Sequence, residues 1–261
     1  MIELKHIETE KLKLPKDDEY LWRYFDIHKF LNLIQKRQFR FTRMDQFEDA
    51  LEGIPFETLR RFASINRNSN LHLAGYVLDS IGYYQQTHKP IAGHIQKAIQ
   101  IQASNFVSCW FCEQRESMAM WNLYSNPDGV AIKIPFGHLK EFLKPQINEI
   151  DFEEYFCGRV SYQDFKQTDP YSENALKKIK KVVLRKDISF SHEKEIRFVA
   201  QISESTILTG VDSEPLDFKK LKMKVVCHPR MADWKKKNIQ QILKDSKLTN
   251  AFSESEIKLR Y

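Results

Sequence analysis

The sequence predicts an α+β fold that forms one domain over residues 1–261. Strand patterns cluster after residue 105, and turns and short helices separate them rather than regularly alternating helices. That order argues against a doubly wound parallel sheet. A helical pattern over about 55–102 interrupts the strands, and no linker composition divides the chain. The sequence therefore indicates a single α+β domain with a helical insertion.

The elements before residue 105 follow from the spacing of apolar residues. Residues 21–25 are typical of a strand, and 27–34 repeat at helical spacing. Alternation over 39–42 predicts a second strand, and the acid-rich stretch 45–53 predicts a loop. Apolar residues within 55–102 recur at helical spacing, which predicts the insertion.

The elements after residue 105 are mostly strands. Apolar runs and alternation predict strands over 106–111, 129–134, 156–162, 196–202 and 222–227, with a closing strand around Ile257 and Leu259. Helical spacing predicts helices over 116–124, over the basic segment 172–185, and through Trp234, Ile239 and Leu243.

Composition is that of an ordinary globular protein, with 42% hydrophobic and 29% charged residues. No run approaches the roughly 20 apolar residues of a membrane-spanning helix, and no secretory signal follows Met1. We therefore expect a cytoplasmic chain with no membrane partner. The net charge is +6, and lysines concentrate in 177–186 and 219–237. These segments are either solvated faces or phosphate contacts.

Two familiar chemistries are disfavoured. The chain has eight glycines, and neither phosphate-binding glycine motif occurs in it. Cys109 and Cys112 have the spacing of a redox or zinc motif, but they fall in a predicted strand. Positions i and i+3 of a strand point to opposite faces, and no second pair completes a tetrahedral site. We therefore predict no metal site at these cysteines.

The most informative stretch is His192-Glu-Lys-Glu-Ile-Arg197. In a strand over 191–199, Glu193, Glu195 and Arg197 would share one face. Neighbouring carboxylates repel and raise a pKa, and the arginine would partly compensate. Such a pair can act as a general base or stabilise a developing cation. The alternative is an ordinary charged ladder facing solvent.

Two further residues are candidates for ligand binding. Arg23, which lies between Trp22 and Tyr24, could clamp a phosphate or carboxylate. It could equally pair with an acid of the 49–52 loop. Tyr124, at the end of a predicted helix, could stack on a ligand ring or pack in the core.

In order along the chain, these segments resemble a large family of bacterial and phage proteins catalogued as a domain of unknown function. The resemblance rests on the sequences at 21–24, 47–53, 107–110, 117–124, 129–132 and 193–197. In one respect the chain departs from that family, because Ala50 stands where its early loop usually has proline.

The family looks like a distant branch of the ADP-ribosyltransferases, which share a split, mostly antiparallel sheet. The resemblance implies a catalytic domain that transfers ADP-ribose from NAD, with Arg23, Ser108 and Glu193-Lys-Glu195 in the family's order. It implies that Glu195 stabilises positive charge on the ribose and that Glu193 orients or deprotonates the acceptor. Arg23 would hold the pyrophosphate, Ser108 would brace the site, and Tyr124 could stack on nicotinamide.

The acceptor stays open at this stage. The basic segments would suit RNA or DNA, and a protein acceptor is equally compatible. By analogy, the resemblance also implies a toxin or phage-defence role, which would bring a neutralising antitoxin protein as partner. Two alternatives compete: a nuclease with Asp49, Glu52, Glu193 and Glu195 around magnesium, and a non-catalytic RNA- or protein-binding module.

Overall fold

The computed structural model describes residues 3–9, 12–49, 51–54, 89–146, 151–164, 181–203, 206 and 208–260. The α-helices in this part of the chain are α1 (Ile27–Lys36), α2 (Lys89–Ala103), α3 (Met118–Tyr124), α4 (Phe136–Phe142) and α5 (Asp233–Asp245). The strands are β1 (Leu4–Ile7), β2 (Tyr20–Phe25), β3 (Arg40–Arg43), β4 (Asn105–Cys112), β5 (Val130–Pro135), β6 (Phe152–Arg159), β7 (Ser161–Gln163), β8 (Arg185–Asp187), β9 (Glu195–Ile202), β10 (Gly210–Asp212), β11 (Lys224–Cys227) and β12 (Phe252–Ser253).

A large, mostly antiparallel sheet organises the molecule. Ten strands form it, in the order β1-β6-β9-β4-β2-β5-β11-β12, while β3 pairs with β4 and β10. The pairs β1–β6 and β11–β12 are parallel. β7 and β8 form a separate two-stranded parallel sheet. The predicted α+β class is confirmed at this level.

The sheet forks at β4. One edge of β4 pairs with β9 from Asn105 to Phe111. On its other edge, β4 pairs with β3 at Phe106 and Val107 and with β2 at Phe111 and Cys112. β2 and β3 therefore diverge, and Ser108 to Trp110 lie at the fork. A cleft can open there because backbone pairing is interrupted on that edge.

The two faces of the sheet carry different cores. Residues from α1, α4 and α5 join one large apolar cluster with β4 and β9 residues such as Trp110 and Phe198. On the other face, α3 contributes Met120 and Trp121 to a smaller cluster with Trp22 and Tyr24. Helix α3 thus lies on the opposite face from α1.

Helix α1 bridges the fork and presents polar residues to it. Asp26 caps the helix by accepting from the Lys29 amide at 2.9 Å, and the helix ends at Arg37 in the left-handed region. Phe30, Leu33 and Ile34 are buried. The capped, strongly amphipathic helix thereby fixes which of its residues can border the fork.

Most predicted elements are confirmed, and three others are absent or differ in extent. The predicted strand over 191–199 begins only at Glu195, because Lys194 adopts φ 41° after a 3₁₀ segment, Ile188–Glu193. The predicted closing strand around 257 is absent from the described residues, where the amides of Glu256 and Ile257 donate to the Glu116 carboxylate instead. Residues 156–162 belong to two strands that are separated at Val160.

The other predictions lie partly outside the described residues. For the helix over 172–185, residues 165–180 are not described, while 182–184 form a 3₁₀ turn and Arg185 opens β8. The end of that segment is therefore not α-helical. Residues 55–88 of the insertion also lie outside the described part, and α2 matches its remainder. Among the described helices, none has the length and apolar character needed to cross a membrane.

Candidate functional site

A cleft of about 690 Å³ occupies the fork of the sheet. Its walls come from β2, α1, β3, the loop after β3, β4, α3, β8, the 3₁₀ segment 188–193 and β9. The titratable residues that line the cleft include Arg23, Lys29, Lys36, Arg40, Glu52, Cys109, Tyr124, Lys186, Glu193, Glu195 and Arg197. This volume falls in the range typical of small-molecule sites.

Lys186 lies at the centre of a buried charged cluster. Its Nζ is 2.5 Å from Glu193 Oε2, 3.0 Å from Glu52 Oε1 and 3.2 Å from Glu195 Oε1. All four side chains are buried. The coulombic attraction of these acids raises the pKa of Lys186 despite its burial. The ammonium therefore stays charged and binds three carboxylates at once.

Arg197 supplies the second cation of the cluster. It is fully buried, and its Nε donates to Glu195 Oε2 at 2.7 Å. Its Nη2 pairs with Glu52, and its Nη1 donates to the Val183 carbonyl at 2.8 Å. Arg197 thus binds two of the three carboxylates directly and leaves Glu193 to Lys186.

Glu193 and Glu195 differ in protonation. Burial, together with the hydrogen bond and charge of Glu195, raises the pKa of Glu193 to about 7, although Lys186 and Tyr124 act in the opposite direction. Burial opposes ionisation of Glu195 as well, but Arg197, Lys186 and the hydrogen bond with Glu193 together hold the pKa of Glu195 well below its usual range. Paired carboxylates whose pKa values separate in this way can divide the roles of proton carrier and fixed anion.

The raised pKa of Glu193 predicts a pH dependence of stability. The folded state binds more protons than the unfolded state between pH 4.5 and 7, so stability falls as pH rises through that window. From pH 5 to pH 8, we expect wild type to lose about 2 kcal/mol of unfolding free energy relative to Glu193→Gln. Urea denaturation across that range measures it, and parallel pH profiles of the two proteins would contradict it.

Tyr124 joins the cluster from helix α3. Its hydroxyl donates to Glu193 Oε1 at 2.5 Å, while 46% of the residue is exposed. Burial and the neighbouring Glu193 raise the pKa of Tyr124, so the phenol stays protonated as a donor. The exposed ring is available for stacking while its hydroxyl is held.

Removing the Tyr124 hydroxyl tests its effect on Glu193. That hydroxyl donates to Glu193 and stabilises the ionised carboxylate, so Tyr124→Phe should raise the pKa of Glu193. We expect the Glu193 titration midpoint, followed by carboxyl ¹³C NMR, to rise by about half a pH unit or more. Ser125→Ala, which removes the next hydroxyl along the chain, serves as the control. A midpoint that does not move in Tyr124→Phe would show that the hydroxyl does not affect the pKa of Glu193.

Arg23 projects from β2 into the fork. Its Nη1 donates to Ser108 Oγ at 3.0 Å, and its Nη2 donates to the Arg40 carbonyl at 3.2 Å. Its Cζ lies 5.7 Å from the ring centres of Phe25 and Trp110. Within the described part of the chain, no carboxylate pairs with Arg23, in contrast to the predicted alternative of pairing with the 49–52 loop. Burial lowers its pKa, but a guanidinium remains protonated at neutral pH.

Ser108 lies behind Arg23 rather than in the cleft wall. It is fully buried, and its Oγ accepts from both Arg23 and the Trp110 indole, the latter at 3.1 Å. The serine therefore fixes the direction of the guanidinium. A desolvated cation that neutral groups orient is suited to an anionic ligand.

Three cations border the open side of the cleft. Lys29 and Lys36 come from α1, and Arg40 comes from β3. Lys36 and Arg40 share Asp212, at 3.9 and 3.4 Å, and all three cations are well exposed. One side of the cleft is therefore cationic, and the other carries the carboxylate cluster.

The cysteines give no sign of redox chemistry. Cys109 and Cys112 both lie in β4, as predicted, and both are free. Burial, together with nearby Glu195, raises the pKa of the Cys109 thiol well above its ordinary value. A protonated thiol is a poor nucleophile and a poor metal ligand.

The structure places Arg23, Tyr124, Glu193 and Glu195 around one cleft, with Ser108 directly behind it. Glu193 reaches the site from the 3₁₀ segment rather than from the strand face that the sequence predicted. Lys186 was counted with the basic surface segment, yet its side chain is only 7% exposed. The sequence signal for it is weak, because only the apolar run Val182-Val-Leu184 before it hints at burial.

The predicted magnesium arrangement receives no support from the geometry. Glu52, Glu193 and Glu195 do converge, but they converge on the Lys186 ammonium and on Arg197. Among the described residues, no group of three His, Cys, Asp or Glu side chains is placed to hold a metal ion.

Comparison with known families finds a partial match. Residues 120–198 match the family described as protein of unknown function (DUF2971). The matched segment includes Tyr124, Lys186 and the Glu193–Arg197 stretch, whereas Arg23 and Glu52 lie outside it. No curated protein and no solved structure matches the chain. The predicted resemblance to a family of unknown function is thus supported over this segment, and its link to ADP-ribosyltransferases stays a prediction.

Proposed function

We propose that this chain is an NAD-dependent ADP-ribosyltransferase that modifies a macromolecule. The observation that carries the proposal is one cleft whose walls include an ionised buried glutamate, Glu195, and a guanidinium, Arg23, that pairs with no carboxylate among the described residues. NAD has an anionic pyrophosphate and a ribose that becomes cationic when nicotinamide leaves. The two ends of the cleft complement these two charges.

The fork of the sheet supports the same proposal. Enzymes of this class share a split antiparallel sheet, and here β2 and β3 separate from β4 at Ser108 to Trp110. The cleft lies in that opening, and Arg23 and the β9 glutamate come from strands on either side of β4. We assign the fold to the split-sheet class as part of this proposal.

The chemistry divides among the residues as follows. The bond between ribose C1′ and the nicotinamide nitrogen breaks, and its electron pair leaves with nicotinamide. Glu195, kept ionised by Arg197, stabilises the positive charge that remains on the ribose. The acceptor then attacks C1′, and its proton passes to Glu193, whose pKa of about 7 suits a general base near neutral pH.

The remaining residues bind the cofactor. Arg23 holds the pyrophosphate with Ser108 behind it, and the rim cations Lys29, Lys36 and Arg40 add positive potential. The exposed ring of Tyr124 stacks on nicotinamide next to Glu193. Apart from Ser108, each of these groups lines the cleft.

The proposal is tested with purified protein, NAD labelled in the adenylate phosphate, and separate pools of RNA, DNA and lysate protein. Transfer of label to one pool, with release of nicotinamide, supports the proposal and identifies the acceptor class. Magnesium-dependent cleavage of nucleic acid without NAD turnover would favour the nuclease instead. Salt-sensitive binding to a pool that survives loss of both glutamates, with no NAD turnover, would favour a binding module.

The proposed cellular role is that of a toxin or phage-defence effector, held in check by an antitoxin protein. Expression in growing cells tests this role separately. Growth arrest by wild type, together with normal growth on expression of Glu195→Gln, is the expected result. Equal growth under both would remove the toxin role and leave the enzymatic proposal standing.

A further inference from the structure

The charged cluster contains more groups than the two glutamates to which the proposed function gives chemical roles. Three carboxylates reach it from three places: Glu52 from the loop after β3, Glu193 from the 3₁₀ segment, and Glu195 from β9. Two cations, Lys186 and Arg197, neutralise two of these three negative charges. With every group ionised, the cluster carries one excess negative charge. Without Lys186 the excess would be two, in a site where water cannot screen it.

Strand pairing and an aromatic ring hold Lys186 in its position. β8 pairs with β7, and Lys186 lies opposite Tyr162 in that register. The Tyr162 hydroxyl accepts from the Glu195 amide at 2.9 Å, which ties the small sheet to the start of β9. The Phe190 ring covers the ammonium, with Nζ 4.4 Å from the ring centre. Strand pairing and the aromatic ring together hold the ammonium in the cluster.

The contacts of the two cations are unequal. Arg197 binds Glu52 and Glu195, whereas Lys186 binds Glu52, Glu193 and Glu195. Lys186 is therefore the cation through which Glu193 is linked to the other two carboxylates. We propose that Lys186 is a positioning residue whose ammonium joins Glu52, Glu193 and Glu195 into one unit and lets Glu193 release its proton while Glu195 stays ionised. The linkage itself does not depend on NAD, and only its catalytic consequence rests on the proposed function.

Other groups also face Glu193 and must be considered in any titration. These are Tyr124 from α3, Cys109 from β4, Glu52 from the loop after β3, Lys186 from β8, and Glu195 and Arg197 from β9. Tyr124 and Cys109 stay neutral near pH 7, because burial raises the pKa of each. Lys186 and Glu52 are neighbours of opposite charge, so their substitution should move the pKa of Glu193 in opposite directions.

The experiment is a titration of Glu193 by carboxyl ¹³C NMR, with the Glu193→Gln spectrum as the assignment reference. In Lys186→Met the midpoint should rise by about one pH unit or more, since a cation is lost beside a buried acid. In Glu52→Gln it should fall, since a neighbouring negative charge is lost. Lys181→Met is the matched control and should leave the midpoint unchanged. It removes a half-buried lysine that lies shortly before Lys186 in the chain and pairs with Glu154 instead of the cluster.

If Lys186→Met folds and the titration midpoint of Glu193 does not move, the proposal is overturned. If that variant does not fold, Glu52→Gln decides, because a midpoint that does not fall would equally overturn it. Lys186→Arg keeps the charge and should restore the wild-type midpoint. No substrate is needed, so failure here is distinct from failure of NAD turnover.

The catalytic consequence has its own signature. If the chain turns over NAD, Lys186→Met should lower kcat by about 5-fold or more near pH 7, because a midpoint raised by about one pH unit leaves only about a tenth of Glu193 ionised there. KM for NAD should change little. Activity should recover as pH is raised past the shifted midpoint. A merely structural role would lower activity equally at every pH.

Discussion

Glu195→Gln should slow NAD turnover strongly while the protein stays folded and still binds NAD. Gln is nearly isosteric but cannot carry the negative charge that the proposed mechanism places at the ribose. The loss of a group that stabilises charge only in the transition state is typically about 10²–10³-fold in kcat. Nicotinamide release measures the rate, and titration calorimetry measures NAD binding.

Two comparisons make that result specific. Glu153→Gln removes an exposed glutamate from β6 and should keep full activity. Glu193→Gln should slow transfer to the acceptor more than it slows NAD hydrolysis, because its proposed role concerns the acceptor proton. Undiminished turnover in folded Glu195→Gln would remove this residue from the chemistry.

Arg23→Met should weaken NAD binding with little effect on the fold of the sheet. The guanidinium binds Ser108 and one backbone carbonyl, so its loss breaks no ion pair among the described residues. A charge-assisted hydrogen bond to phosphate contributes about 1.5–3 kcal/mol, so Kd for NAD should rise about 10- to 100-fold. Titration calorimetry with NAD and with ADP-ribose measures the effect.

The part of NAD that contacts Arg23 is also predicted. ADP-ribose retains the pyrophosphate, so it should lose affinity in parallel with NAD, while nicotinamide alone should be unaffected. Arg115→Met removes an exposed arginine that pairs with Glu256 and should leave every Kd unchanged. Unchanged NAD affinity in Arg23→Met would remove Arg23 from the pyrophosphate site.

Sequence reasoning recovers the elements whose patterns are long and local. The amphipathic α1 and the alternating β5 are confirmed because their periodicity is set by one buried face. It fails where a local pattern competes with a distant partner. The strand predicted near Ile257 does not form, because the buried Glu116 carboxylate binds the backbone amides there. No local sequence pattern near Ile257 predicts that contact.

The candidate site shows the same division. Glu195 and Arg197 share a strand face as their spacing predicts, so local alternation is enough to pair them. Lys186 and Glu52 are 134 residues apart in sequence, and only the folded chain brings them together. A lysine in a basic run is usually solvated, so composition points away from its buried position. The left-handed Lys194 likewise separates Glu193 from the strand without a glycine to mark the turn.

A crystal structure of Glu195→Gln grown with saturating NAD tests the proposed NAD site most directly. The slow variant should trap intact NAD in the fork of the sheet. We expect the pyrophosphate within hydrogen-bond distance of Arg23 and the nicotinamide ribose hydroxyls beside residue 195. NAD bound elsewhere, or a cleft that stays empty at saturation, would contradict it.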